Sequence, residues 1–186
     1  MDFSRNANIT LIDFVSGDDK AWHTLVSTYS GWLFSISLRI LRNPDDAEDV
    51  LQEAFIKAYR GRHQLRDINR LGGWLRTICV RLCVKGFRKR QETSFDDIEA
   101  FLPASGNSPH GVVAARQELE TVLKGMNHLS GRERACLTLL IFEDMHYREI
   151  AGSLGISHGA VRRYISNARS RLHALLDPDI EKEVEI

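Results

Sequence analysis

Apolar residues recur every three or four positions in nearly every patterned segment of this 186-residue chain. That spacing places them along one side of an α-helix, whereas a half-buried strand would need strict alternation, of which the sequence offers no convincing example. The sequence therefore predicts an all-α protein.

The helical pattern stops in one place, between Glu92 and His110. The stretch ETSFDDIEAFLPASGNSPH is acidic and combines two of the four prolines with serine, glycine and asparagine, a composition typical of a flexible linker. The interruption predicts two small helical domains, each of ordinary size. The predicted boundaries are a first domain over residues 1–91, an acidic linker over 92–111, a second domain over 112–176 and an acidic tail over 177–186.

Charge is segregated along the chain, although 25 basic residues balance 25 acidic ones. The first domain carries a net +5 and the second a net +3, whereas the linker and the tail carry −4 each. Exposed charges act over about a Debye length, roughly 8–10 Å in dilute salt. The separate blocks therefore matter more for binding partners than the total does.

The second domain begins with a strong helix signal. In LSGRERACLTLLIF, Ser130 and Glu133 have the spacing of a capping box. Leu137, Leu140 and Ile141 then form one apolar stripe, which predicts a helix with that stripe facing the core.

Two further helices follow, separated by a glycine. YREIAGSL has helical periodicity, Gly155 ends it, and Ser157 is placed to cap the next helix. The segment Ile150–Leu176 contains four arginines and no acid. A helix, a short turn and a second helix with a cationic outer face is the helix-turn-helix arrangement, whose second helix can enter a major groove.

The outer face of that last helix is predicted from its apolar stripe, which consists of Val161, Ile165, Ala168 and Leu172. Arginine on the opposite side can bind guanine through two hydrogen bonds or hold a phosphate. The alternative is that these arginines only solvate a surface helix, but the glycine turn, the serine cap and the stripe all fall in register. The candidate DNA-binding residues are Ser157, Arg162, Arg163, Ser166, Asn167 and Arg169.

The first domain contains the stretch NPDDAEDVLQEAFIKAY, in which Asn43 can cap a helix that Pro44 begins. The predicted buried side consists of Ala47, Val50, Leu51, Ala54, Phe55 and Ala58. Acids near a helix start usually complement the helix dipole, but this does not explain an apolar residue among exposed polar ones. Such a mixed face suits a basic protein surface. The candidate protein-docking residues are Asp49, Gln52, Glu53 and Ile56.

The next helix, in LGGWLRTICVRLCVKGFRKR, is basic. Leu71, Leu75, Ile78 and Leu82 form its core stripe, and Trp74 shares a neighbouring stripe with three cations. Cations with an aromatic ring suit single-stranded nucleic acid, whereas the alternative for the tryptophan is ordinary core packing. The candidate DNA-binding residues are Trp74, Arg76, Arg81, Lys85 and Arg88.

Other classes of function find little support in the sequence. Cys79, Cys83 and Cys136 are odd in number and lie among apolar residues, which predicts reduced, buried thiols; a metal site or redox switch at Cys79 and Cys83 is the alternative. No Ser-His-Asp arrangement, metal-spaced cluster or phosphate-binding glycine loop appears, so neither an enzyme nor a cofactor or small-molecule substrate is predicted. The sequence has no signal pattern and no apolar run of roughly 20 residues, which predicts a cytoplasmic protein without membrane insertion.

The motifs described above resemble one family. The resemblance covers most of residues 17–176 and lies in GDDKAWHTLVSTYSGWLFSISLRILRNPDDAEDVLQEAFIKAY, GGWLRTI and LSGRERACLTLLIFEDMHYREIAGSLGISHGAVRRYISNARSRL. These stretches are similar to the second and fourth conserved regions of bacterial extracytoplasmic-function sigma factors, in the same order and spacing.

The resemblance implies a transcription initiation factor that binds the β and β′ subunits of bacterial RNA polymerase and promoter DNA. Asp49, Gln52 and Glu53 would dock on the β′ subunit. The loop from His63 to Gly73 and the following helix would open the −10 element, and the last helix would recognise the −35 element. The acidic linker would follow polymerase channels, and an anti-sigma factor is an expected partner.

Two features of the sequence depart from this pattern or leave it open. Gly72 and Gly73 leave open where the helix after the loop begins, and Asn167 occupies a position where relatives often carry a basic residue. A free-standing helix-turn-helix regulator is the alternative function. The chain has no heptad seam for dimerisation, however, and that alternative gives the acidic face no role.

Overall fold

The computed structural model describes residues 9–93 and 125–176, and within 87–93 and 175–176 it describes the backbone alone. No strand occurs in these ranges, and the all-α prediction is confirmed. Two short 3-10 turns, Arg62–Gln64 and Ile68–Arg70, connect the third helix to the fourth. The α-helices are α1 (Leu11–Ser16), α2 (Asp19–Leu41), α3 (Pro44–Gly61), α4 (Leu71–Thr93), α5 (Gly131–Ile141), α6 (Tyr147–Leu154) and α7 (His158–Leu176).

The predicted domain boundaries stay predictions. Helix α4 continues to Thr93, two residues into the segment 92–111 that the sequence predicts as a linker. The remainder of that segment and the acidic tail over 177–186 lie outside the described residues.

Local sequence signals set the helix ends. The Asn43 side chain accepts a hydrogen bond of 2.9 Å from the Asp46 backbone N–H, so it caps α3 ahead of Pro44. Ser130 and Glu133 form the expected capping box at the start of α5. Gly155 has φ = +66°, a left-handed conformation that suits glycine and ends α6.

Helices α2, α3 and α4 pack around the core of the first domain. Ala47, Ala54 and Ala58 are fully buried on α3, as their spacing predicts. Helix α4 begins at Leu71, so Gly72 and Gly73 lie in its first turn. At Gly72 a Cβ would lie 3.4 Å from the Tyr29 ring, which shows how closely α4 approaches α2.

Helix α5 is buried on several sides because it packs against α2 and α4 of the first domain as well as against α7. The core is therefore continuous between the two halves of the chain. Leu137 is buried, but Ile141 has 63% of its surface exposed, so its assignment to the core stripe is wrong. The buried sides of α5 include Ala135, Cys136 and Leu139 instead, and Ile141 lies at the last turn, where the chain leaves the helix.

Candidate binding surfaces

The helix-turn-helix surface is formed by α6 and α7, and Ser157 lies between them. Its hydroxyl accepts a hydrogen bond of 3.1 Å from the Ala160 N–H and thereby caps α7. Val161, Ile165 and Ala168 are buried, which fixes the rotation of α7 about its axis. As a result the candidate residues on the opposite side are all exposed: Arg162, Arg163, Ser166, Asn167 and Arg169.

Tyr164 is a residue of this surface that the sequence analysis did not identify. Its hydroxyl accepts a hydrogen bond of 3.0 Å from Arg132, which comes from the first turn of α5. The Arg163 guanidinium lies 5.7 Å from the centre of the same ring, within the range of a cation–π interaction. The sequence shows that Arg163 and Tyr164 are neighbours, but the contact from Arg132 depends on packing between two helices.

The second surface is the outer face of α3. Asp49, Gln52, Glu53 and Ile56 are all exposed along it, and half of the Ile56 surface is accessible. Glu53 forms an ion pair of 3.2 Å with Lys57 one turn further on. Such an exposed pair contributes little to stability, so Glu53 remains available to another cation.

A groove of about 410 Å³ lies beside this face, between α2 and α3. Gln52 lines it and therefore belongs both to the groove and to the exposed face. The other residues that line it are Ser30, Gly31, Phe34, Glu48 and Leu51. Apolar walls with a polar rim could receive an apolar side chain of a bound protein.

The third surface is a crevice of about 380 Å³ between the end of α3 and the side of α4. Trp74 is half-buried, with its ring edge-on to Phe14 at 6.0 Å, so it serves the core as well as lining the crevice. Among the described residues that line it there is no acid, whereas there are three cations: Lys57, Arg81 and Lys85. Such an aromatic wall with a cationic rim suits an unstacked base and its phosphates.

Two of the candidate cations of α4 contact the second domain in this structure. Arg76 forms an ion pair of 3.4 Å with Glu143, and its side chain is only 20% exposed. Arg81 donates hydrogen bonds of 2.7 Å to the Ser153 carbonyl oxygen and 3.0 Å to that of Gly152. The cationic stripe expected on one exposed face of α4 is therefore divided between the crevice and the domain contact. Lys85 is exposed, and the Arg88 side chain lies outside the described residues.

The three cysteines are free and buried, as the sequence predicts. The Cys79 thiol and the Ser37 hydroxyl lie 3.0 Å apart. Burial raises the pKa of Cys136 to about 12. In residues 9–93 and 125–176 no three histidine, cysteine or acidic side chains are placed to hold a metal ion.

Membrane insertion has no candidate helix in the part of the chain that the structure describes. Each helix there is too short or too polar to cross a bilayer.

Comparison with known families gives two matches, which follow the two halves of the chain. Residues 25–93 match Sigma-70 region 2 and residues 119–172 match Sigma-70, region 4. The first match spans α3 and α4, with the exposed acidic face and the crevice. The second spans the helix-turn-helix.

Individual relatives agree with these matches. The chain is 32% identical to the RNA polymerase sigma factor HrpL of Pseudomonas syringae pv. syringae over 74% of this chain and 77% of that protein. It is 30% identical to the extracytoplasmic-function RNA polymerase sigma-E factor of Escherichia coli over 89% of this chain and 92% of that protein.

Two solved structures have a similar fold. The sigma factor RpoE in complex with the anti-sigma factor NepR from Bartonella quintana has a TM-score of 0.65 at 25% identity and covers 86% of this chain and 99% of that one. CnrH in complex with the cytosolic domain of CnrY has a TM-score of 0.61 at 26% identity and covers 91% of this chain and 96% of that one.

Proposed function

This chain belongs to the extracytoplasmic-function sigma factors of bacterial RNA polymerase, and we propose that it divides their work among three surfaces. The exposed face of α3 binds core polymerase. The crevice beside α4 binds the −10 element, and α7 binds the −35 element. One observation supports this division most directly. The exposed face of α3 is rich in carboxylates, whereas the described residues of the crevice and of the exposed face of α7 include cations and no acid.

The docking surface is the face of α3 that carries Asp49, Gln52, Glu53 and Ile56. Exposed carboxylates beside an aliphatic side chain complement a basic protein surface and repel DNA. The groove next to Gln52 adds a concave apolar site at the edge of the same face. A helix of the β′ subunit lying along α3 would contact both the face and the groove.

The −35 surface is the exposed side of α7, with Arg162, Arg163, Ser166, Asn167 and Arg169. Buried Val161 and Ile165 hold the helix against the domain, so its outer side is rigidly presented. Arginine reads guanine through two donors, whereas serine and asparagine can contact bases or phosphates. Ser157 adds a hydroxyl at the start of the helix.

The −10 surface is the crevice lined by Trp74, Gln64 and the cations around it. Its volume of about 380 Å³ accommodates a flipped nucleobase with part of its sugar. The exposed part of the Trp74 indole can stack on that base, while Lys57 and Lys85 attract its phosphates. Arg81 lines the crevice while its donors bind carbonyl oxygens of the second domain. Arg76 does not line it and joins this surface only when it is released from Glu143.

The partners in this proposal are the β and β′ subunits of core polymerase, promoter DNA and an anti-sigma factor. The structural neighbour RpoE was solved in complex with the anti-sigma factor NepR, which supports an anti-sigma partner for this chain. The chain itself performs no catalytic step, takes no small-molecule substrate, and acts in the cytoplasm where the polymerase is found.

The decisive experiment adds the purified chain to bacterial core polymerase and maps transcription start sites on genomic fragments. We expect a complex in native gels and a small set of defined starts that share spaced upstream elements. A chain that binds DNA tightly alone and neither binds core nor changes its start sites would be a free-standing regulator, and the proposal would be wrong.

A further inference from the structure

A tyrosine on α7 joins this helix to the start of α5. Tyr164 is half-buried and lies next to buried Ile165. Its hydroxyl accepts a hydrogen bond of 3.0 Å from Arg132, which lies in the first turn of α5. The guanidinium groups of Arg132 and Arg163 lie 6.0 Å and 5.7 Å from the centre of the tyrosine ring. Two exposed cations from different helices therefore meet at one aromatic side chain.

Arg132 keeps most of its capacity to bind an anion. A guanidinium has several N–H donors, and among the described residues the acceptor that Arg132 meets is the neutral Tyr164 hydroxyl. The acid of the same helix turn, Glu133, is only 4% exposed and pairs with Arg171 at 3.0 Å. The charge of Arg171 is thus matched by a carboxylate, whereas no described carboxylate pairs with Arg132.

The contact between Arg132 and Tyr164 adds little to the stability of the fold. Water solvates an exposed guanidinium about as well as a hydroxyl does, and fixing a long side chain costs conformational entropy. What the contact does achieve is to hold a cation in one place beside α7. A guanidinium that is already oriented loses less freedom when it binds a phosphate.

We propose that Arg132 binds a backbone phosphate of the −35 element from outside the helix-turn-helix, and that Tyr164 positions it. The hydroxyl of Tyr164 orients Arg132 and its ring orients Arg163, so one side chain aligns a contact from α5 with a contact from α7. This inference rests on the proposed −35 surface of α7. It extends that surface to α5, for which the sequence predicts only a core stripe.

A phosphate is a better ligand for Arg132 than a base edge. Arg132 comes from a neighbouring helix and lies to the side of α7, and the sugar–phosphate backbone borders the groove that a recognition helix enters. Phosphates carry no sequence information. Loss of Arg132 should therefore weaken binding to every duplex by the same factor, whereas loss of a base contact changes the sequence preference.

The first test removes the charge at position 132 in the assembled holoenzyme. The probe is a duplex with the upstream element of a start site that the holoenzyme uses. Arg132→Gln should weaken binding about three- to tenfold and reduce the slope of log affinity against log salt by about one. The ratio of affinities for this duplex and one with a scrambled element should stay constant. Lys20→Gln removes an exposed cation of the first domain and is the matched control, which should change neither quantity.

The second test identifies the phosphate by ethylation interference. Ethylation removes the negative charge of a phosphate, so duplexes that are ethylated at a contacted position are excluded from the complex. With the unchanged chain we expect an interfering position at the edge of the −35 footprint that no longer interferes with Arg132→Gln. The other interfering positions should persist. Identical patterns for the two proteins would overturn the phosphate contact.

The third test examines the positioning role of Tyr164. Tyr164→Phe keeps the ring beside Arg163 but removes the acceptor for Arg132, so it should weaken duplex binding by less than Arg132→Gln does. If the hydroxyl acts through Arg132, the double variant should bind no more weakly than Arg132→Gln alone. Additive losses would show that Tyr164 does not act through Arg132. Urea unfolding of each variant separates these effects from a loss of stability.

Failure of this inference is distinguishable from failure of the proposed function. If Arg163→Ala weakens duplex binding while Arg132→Gln leaves the affinity and the salt slope unchanged, α7 binds the element without α5. The inference is then wrong and the proposed function stands. If neither variant alters duplex binding, the assignment of α7 to the −35 element fails, and the inference fails with it.

Discussion

Arg171 on α7 donates a hydrogen bond of 3.0 Å to the buried carboxylate of Glu133 at the start of α5. The same carboxylate accepts a hydrogen bond of 2.8 Å from the Ser130 backbone N–H. Glu133 therefore completes the cap of α5 and also ties α7 to it. The Glu133 side chain is 4% exposed, whereas that of Arg171 is 53% exposed.

This asymmetry predicts unequal effects of mutating the two partners. Glu133→Ala leaves the Ser130 N–H without its acceptor and should lower the free energy of unfolding by about 1–3 kcal/mol. Arg171→Ala should lower it by under about 1 kcal/mol, because a half-exposed charge is well solvated. Urea unfolding followed by circular dichroism measures both. Equal losses for the two variants would show that the ion pair, and not the cap, carries the stability.

Gly72 and Gly73 offer a pair of adjacent substitutions with different surroundings. A Cβ at Gly73 would meet no atom within 4 Å, whereas one at Gly72 would lie 3.4 Å from the Tyr29 ring. Alanine at position 73 should raise the free energy of unfolding by about 0.5–1 kcal/mol, the helix-propensity difference. Alanine at position 72 should gain less, because the Tyr29 ring must adjust. The prediction is tested by the midpoints of urea unfolding of the two variants. The midpoint of Gly73→Ala should be higher than that of Gly72→Ala.

The buried thiol of Cys136 should make the folded protein less stable at high pH. Burial raises its pKa to about 12, whereas an unfolded thiol ionises near about 8.5. Between these values the unfolded chain has lost a proton that the folded chain keeps, so stability falls as the pH rises, by at most about 1.4 kcal/mol per pH unit from this group. Below pH 8.5 or so both states hold the proton and the effect vanishes.

The measurement is the slope of the unfolding free energy against pH from about 8.5 to 11, over which the thiol ionises in the unfolded chain alone. Cys136→Ala should lower stability at every pH, since it leaves a cavity, but its slope should be shallower than that of the unchanged chain. An unchanged slope would mean that the Cys136 thiol does not remain protonated in the folded state.

The sequence predicted those features that depend on one helix at a time. The spacing of Ala47, Ala54 and Ala58 identifies the buried side of α3, and that of Val161 and Ile165 identifies the buried side of α7, because a helix has a fixed period. The caps at Asn43, Ser130 and Ser157 are equally local. The exposed face of each helix is then the side opposite its buried residues.

Features that depend on two helices could not be predicted in this way. The pattern places Arg76 and Arg81 outside the core stripe of α4, but it does not show that another domain covers that side. Ile141 continues an apolar pattern, yet it lies where α5 ends, and no helix in the described part of the chain covers it. The Trp32 indole N–H donates a hydrogen bond to the Glu143 carboxylate, and these residues are 111 positions apart. The sequence carries no local signal for such a contact.

The docking assignment predicts a specific loss of core binding. Gln52→Ala with Glu53→Ala should weaken the affinity for core polymerase by about tenfold or more, because central interface residues commonly contribute more than 1 kcal/mol each. Helix content should stay unchanged, since both side chains are exposed. Fluorescence anisotropy of the labelled chain titrated with core measures the affinity.

The matched control for this prediction is Asp19→Asn on another helix. It removes one exposed acid from the first turn of α2, outside the exposed face of α3, and should leave the affinity for core within about twofold. Equal weakening by both variants would mean that overall negative charge, and not the docking face, determines binding.

The recognition-helix assignment predicts changes in salt dependence. Arg163→Ala should weaken holoenzyme binding to a duplex with the upstream element, and it should reduce the slope of log affinity against log salt by about one if Arg163 holds a phosphate. Asn167→Arg adds a cation to the same exposed face and should increase the slope by about one. Binding titrations between about 50 and 200 mM salt measure both slopes.

The control for these two variants is Lys20→Ala, which removes an exposed cation at the start of α2. It should leave the slope unchanged, because a charge outside the contact releases no counterions from the DNA. If Arg163→Ala lowers affinity for one base sequence while the slope stays constant, Arg163 reads a base edge. If Arg163→Ala alters neither affinity nor slope, α7 does not contact the upstream element through this residue.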